Sequence, residues 1–204
     1  MRTPRSKRAF SMVEMLVALT ITATLLTATM AALDASYKSY QATTEGASTN
    51  VVARMVMHRV MSMIRTGTEF GPYPEDVLDP GQNPVVGSAI EFERSFNEET
   101  GARTIIRLER RTQEDPARGP FELWYIETVL ADDEQSSRHE FPLLTGVREL
   151  VFTLEYGVGP RLHRATVDLT VSPNDFQEAS FHAGMTAPAI RLVSTVQPRR
   201  LLDQ

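Results

Sequence analysis

Arg8-Ala9-Phe10-Ser11-Met12-Val13-Glu14-Met15-Leu16-Val17-Ala18-Leu19-Thr20-Ile21-Thr22-Ala23-Thr24-Leu25-Leu26-Thr27-Ala28-Thr29-Met30-Ala31-Ala32-Leu33 reads as one apolar helix with a single acid near its start. From Phe10 to Leu33 there is no Lys, Arg, Asp, His, Gly or Pro. The run of about 24 residues, at ~1.5 Å rise each, is long enough to cross a hydrocarbon core of ~30 Å. Ahead of it stand Arg2, Arg5, Lys7 and Arg8 with no acid among them. That asymmetry puts the short N-terminal end on the cytoplasmic side and the bulk of the chain across the membrane.

A basic leader, a small residue, Phe10, an acid at Glu14 and an unbroken apolar helix resemble the processing site of type IV pilins and pseudopilins. The resemblance implies that a prepilin peptidase cuts between Ala9 and Phe10 and methylates the new amine of Phe10, leaving Glu14 as an assembly residue. The family usually carries Gly before the cut. Ala9 is the next smallest side chain, so cutting is expected to persist at a lower rate. The competing reading is an ordinary signal peptide cleaved within Ala28-Thr29-Met30-Ala31-Ala32. Glu14 argues against it, because a carboxylate inside a membrane helix costs ~2.5–3.5 kcal/mol and so calls for a partner.

Working outward, the helix is expected to continue past Leu33 into water. Asp34, Ser36, Lys38, Ser39 and Gln41 alternate with Ala35, Tyr37, Tyr40 and Ala42, and no proline intervenes before Pro72. Gly46 is its weak point for bending or fraying, costing ~1 kcal/mol relative to Ala. Val52, Val56, Val60 and Ile64, with Met55 and Met63 beside them, suggest the stripe that packs on a sheet, with Arg54, His58 and Arg65 off it. The methionines Met55, Met57, Met61 and Met63 are read as core filling rather than a soft-metal or peptide surface. Thr66-Gly67 is the expected stop, with Gly67 in a left-handed cap. A helix from Phe10 to Thr66 would be about 85 Å long. The expected division is a leader over 1–9, a transmembrane half over 10–33, an extramembrane half over 34–66 and a β-rich domain over 67–204.

That domain is of ordinary size for one core. The formal net charge is −5, and loss of the leader removes four basic residues more, so a nucleic-acid surface is not expected. There is no cysteine, hence neither a disulfide frame nor a thiolate metal site. Phe70 to Gly87, rich in Pro and Gly, predicts an extended loop. Ile90–Phe96 and Thr104–Arg110 predict a hairpin around Asn97–Gly101, and Phe121–Ile126, apolar on both faces, a central strand. Thr112–Pro120 and Ala131–Arg138 read as polar loops. Val147–Tyr156 and Leu162–Val171 flank Gly157-Val158-Gly159-Pro160 as the clearest hairpin, and Ile190–Arg200 as a last strand with a basic tail. Leu143 to Tyr156 is also similar to a stretch of the J-type minor pseudopilins of type II secretion. Glu14 sets the chain apart from the K-type tip subunits, which lack that acid, and the C-terminus lacks the calcium loop of the shorter major pseudopilin.

Chemistry finds little support. His58, His139, His163 and His182 have no metal spacing, and no nucleophile elbow or phosphate loop occurs. Gly157-x-Gly159 precedes no helix. Asp132-Asp133-Glu134 lacks the spaced oxygens of a calcium loop, and the pairs Glu98-Glu99 and Glu114-Asp115 sit in exposed, turn-like contexts. Neither an enzyme nor a cofactor is expected. The reading is an α+β, pilin-like chain: a long N-terminal helical spine on one antiparallel sheet. It implies a minor subunit of a type II secretion pseudopilus or type IV pilus, anchored in the inner membrane with its domain periplasmic, whose partners are other pilin-like subunits and the prepilin peptidase. The alternative is a signal-anchored extracytoplasmic receptor or enzyme.

Overall fold

The computed structural model describes residues 11–98, 100–112, 121–130, 137–159, 161–172 and 189–199. One helix, α1 (Met12–Thr66), precedes eight strands: β1 (Thr68–Gly71), β2 (Val85–Gly87), β3 (Ala89–Phe96), β4 (Arg103–Thr112), β5 (Phe121–Leu130), β6 (Ser137–Gly157), β7 (Arg161–Val171) and β8 (Ile190–Val196). The expected α+β arrangement, a long apolar N-terminal helix with an antiparallel sheet, is what the chain adopts. Two compact units divide between Thr44 and Glu45.

In the first unit the described residues are helical from Met12 onward. Before Leu33 five threonine hydroxyls bond back to carbonyls three or four residues earlier, those of Thr20, Thr22, Thr24, Thr27 and Thr29, at 2.8–2.9 Å. Back-bonding satisfies each hydroxyl within the helix, so these residues do not spoil a segment meant for hydrocarbon. Polar pairing resumes with Asp34 and Lys38, one turn apart at 2.9 Å. Gly46 is helical, within α1; a single glycine costs only ~1 kcal/mol relative to Ala.

In the second unit the sheet runs β1-β3-β4-β5-β6-β7-β8, with β2 paired to β6, and every pairing is antiparallel. From β3 to β8 each strand lies beside its neighbour in sequence, and β5 is central as its double-sided apolar pattern predicts. The two expected hairpins form, β3 with β4 and β6 with β7. β6 is longer than its sequence suggests, because it serves β5 and β7 in turn and pairs β2 through Phe152–Leu154 as well. Ser137–Val147 lies along β5 and Val147–Gly157 along β7. Gly146 sits at the handover with φ +71°, a conformation in which a side chain would be strained, and its carbonyl accepts the Ser172 N–H at 2.9 Å. Ser137 and Arg138, expected in a loop, therefore belong to a strand.

Two further expectations need correction. The Phe70–Gly87 stretch is not loop throughout, since β1 pairs with β3 and β2 with β6. β1 holds one buried apolar residue, Phe70, whose ring lies 5.6 Å from that of Phe92; a strand so short has no readable period. Asn83 pins the intervening loop, donating to the carbonyls of Val77 and Tyr156 and accepting the Tyr156 N–H. The helix stripe is also turned. Ala53, Met57, Val60 and Ile64 are buried, Val56 is half-buried, and Val52 and Met55 are exposed. Residues spaced strictly by four drift about 40° per step around a 3.6-residue turn, whereas steps of four, three and four stay on one line. Met57, Met61 and Met63 do fill the core as expected, and Met55 does not.

The helix ends at Thr66, with Gly67 N–H on the Met63 carbonyl at 3.0 Å. Gly67 is not left-handed. Close approach explains it instead: a Cβ there would lie 2.5 Å from Cδ2 of the buried Phe92 ring.

Candidate functional site

Glu14 is the one described residue of the processing and assembly set; Ala9, Phe10 and the rest of the leader lie outside the described residues. Ser11 opens the helix. Its Oγ accepts the Val13 N–H at 3.2 Å, while Glu14 Oε2 reaches back to accept the Ser11 N–H at 2.9 Å. This is the reciprocal capping arrangement of Ser-x-x-Glu, which satisfies otherwise orphaned N–H groups at a helix start. The spacing Ser11-x-x-Glu14 carries its signal, a role for the acid that the sequence reading, which takes it for an assembly residue, does not identify. A carboxylate at that end also opposes the positive pole of the helix.

Around this cap every described side chain from Ser11 to Tyr37 is exposed. Met12 is 81% exposed, Leu19 64% and Leu33 67%, which leaves a large apolar cylinder without cover from the described residues. The helix is long and apolar enough to cross a membrane. In water such a surface is unfavourable by ~25 cal/mol per Å². Lipid or other helices must cover it.

Among the described residues, those weighed for chemistry are not gathered into a site. His58 is on α1, His139 on β6 and His163 on β7, all exposed, and His182 lies outside the described residues, as do Glu99, the Glu114-Asp115 pair and Asp132-Asp133-Glu134. Among the described residues no three His, Cys, Asp or Glu side chains approach closely enough to hold a metal. Gly157-Val158-Gly159 is a hairpin turn with Gly159 at φ +89°. Tyr156 is the most perturbed phenol; burial first, then Tyr73, pushes its pKa up and keeps it protonated, with its hydroxyl donating to the Phe70 carbonyl at 3.4 Å.

The exposed face of β3–β6 carries a ladder of paired charges instead. Arg107 meets Glu91 at 3.4 Å and Glu109 at 2.6 Å, Arg111 meets Glu109 at 2.5 Å and Glu140 at 3.2 Å, and Arg138 meets Glu140 at 3.0 Å. Arg111 also lies over the Trp124 ring, 4.7 Å from its centroid. Burial pushes the Glu109 carboxyl up, and the two guanidiniums outweigh it, holding the group below its ordinary 4.5. Charges so paired with one another tie the surface strands together.

A capped, uncovered apolar helix and an antiparallel sheet domain define a class of protein, one whose helix is made to be surrounded by lipid or by other helices. Residues 4–30 match the family model described as the prokaryotic N-terminal methylation motif. The match takes in Ala9, Phe10 and Glu14 and supports a pilin-like subunit of a type IV pilus or a type II secretion pseudopilus. Among curated proteins and solved structures, none gives a significant match.

Proposed function

We propose that the chain is a minor pilin-like subunit, most similar to the J-type pseudopilins, acting at the tip of a secretion pseudopilus or type IV pilus. The prepilin peptidase cuts between Ala9 and Phe10 and methylates Phe10. The subunit waits in the inner membrane with its N-terminus cytoplasmic and its domain periplasmic. Assembly draws its helix out of lipid and against those of other pilin-like subunits. The role is mechanical and needs neither catalysis nor a cofactor.

The observation that carries this reading is the uncovered apolar stretch up to Leu33, in which the one acid, Glu14, lies inside the matched motif. Lipid tails are as apolar as leucine, so hydrophobicity alone does not favour a fibre over the bilayer. A polar contact must tip the balance, and Glu14 facing the Phe10 amine of a neighbouring subunit supplies one. The acid at Glu14 and the Leu143–Tyr156 stretch favour a J-type over a K-type subunit. Intact mass of the protein from cells with and without the peptidase tests the reading. The expected product begins at a methylated Phe10 only when the peptidase is present. A product beginning near Ala32 would mean ordinary signal cleavage and overturn it.

A further inference from the structure

The second unit holds a groove of about 520 Å³ between the C-terminal part of α1 and strand β8. Arg54, His58 and Arg65 line it from the helix, Arg199 closes one end, and no described carboxylate lines it. That is unusual for a chain of formal net charge −5. Arg54 is held by Asn50 at 2.7 Å, and the side chains of His58, Arg65 and Arg199 have no ion pair among the described residues. The contrast with the ladder on the opposite face is direct, since Arg107, Arg111 and Arg138 there all meet carboxylates.

The other wall is a strand whose second side is unpaired among the described residues. β8 is the last strand of the sheet and, among the described residues, pairs only with β7. Leu192, Ser194 and Val196 are only half-buried although they alternate with the exposed Arg191, Val193 and Thr195, so the groove beside them is not filled. An open edge presents a row of main-chain donors and acceptors that a further strand can take up. From Arg54 to Arg65 along the helix is roughly 16 Å at ~1.5 Å per residue. About five residues of extended chain at ~3.3 Å each span it.

We propose that this groove takes an extended acidic peptide segment of a partner protein, added as a strand beside β8 with alternate carboxylates on Arg54, Arg65 and Arg199. Main-chain bonds to β8 supply sequence-independent affinity, and the guanidiniums select Asp or Glu at every second position. A second copy of β8 is a poor occupant, because edge-to-edge pairing would set one basic groove against another. The inference stands apart from the fibre role, since capture of a peptide needs no assembly.

The test uses the purified full chain in detergent and a fluorescein-labelled peptide alternating Glu and Val, read by anisotropy. Binding is expected, weakening with added salt, falling at least tenfold in Arg65→Glu and in Arg199→Glu, and less in Arg65→Gln. The same peptide N-methylated at alternate residues cannot form the ladder and should lose at least tenfold as well. Equal binding of a Lys-Val peptide or of the N-methylated peptide would overturn the proposal, as would unchanged affinity in both charge reversals or no binding at all. Polyphosphate that binds while the Glu-Val peptide does not would mark the groove as a phosphate site and also overturn it.

Discussion

Glu14 serves the isolated subunit as a helix cap, its Oε2 2.9 Å from the Ser11 N–H. In a chain cut after Ala9 the new amine sits one residue before that same N–H, so a pair within the subunit competes with one between subunits. Only the second fixes the axial step between neighbouring helices. The two uses separate by chemistry, because a glutamine amide oxygen can still accept in a capping box but carries no charge. Glu14→Ala and Glu14→Gln are both expected to insert and be cut normally and yet fail to co-purify with partner subunits, while Glu14→Asp keeps partial incorporation. Membrane fractionation beside the co-purification checks the outcome; wild-type incorporation of the Gln variant would show that capping, not charge, is what assembly needs.

The elements of the second unit are held by different forces. On α1 the line Ala53, Met57, Val60, Ile64 faces the core, and Ile64 is fully buried while Val52 is half exposed. Ile64→Ala is therefore expected to cost ~2–5 kcal/mol and Val52→Ala no more than ~0.5 kcal/mol, measured as urea midpoints followed by the single tryptophan, Trp124. Across β3–β6 the charge ladder adds a pH-dependent term. The Glu109 carboxyl lies below its ordinary 4.5 in the folded chain. Its ionised form stabilises the sheet above that pH, and the contribution is lost as the pH falls through the folded value. Such a partly exposed pair is worth ~0.2–1 kcal/mol, up to about 4 °C of melting temperature in a domain this size. Glu109→Gln should melt lower than wild type near neutrality, and the gap should close as the pH falls below the ordinary carboxyl value of 4.5 and through the lowered folded value. A gap that persists into acid would assign the loss to packing.

At the scale of the whole molecule, an uncovered helix and a sheet domain answer to different surroundings, and neither calls on a metal among the described residues. Chelator is expected to leave the melting temperature of the purified chain unchanged, and added calcium to leave it unchanged too. A fall of several degrees with chelator would reveal an ion that binds only the native state, with Asp132-Asp133-Glu134, outside the described residues, the first place to look.

The sequence by itself determined the apolar helix, the α+β class and the two main hairpins, while the Ser11–Glu14 cap, though local in spacing, was recognised only in the structure. Each rests on contacts between residues near in the chain or on a period long enough to read. Only the tertiary structure decided which helix line is buried, why Gly67 is a glycine, that β1 and β2 are strands, and that β6 passes from β5 to β7 at Gly146. The basic groove belongs to this second set, since Arg54, Arg65 and Arg199 become neighbours only when β8 is laid beside α1, and the Arg199 N–H reaches the Arg65 carbonyl at 2.8 Å. Local periodicity cannot carry information of that kind, because it arises from pairing across more than a hundred residues of chain.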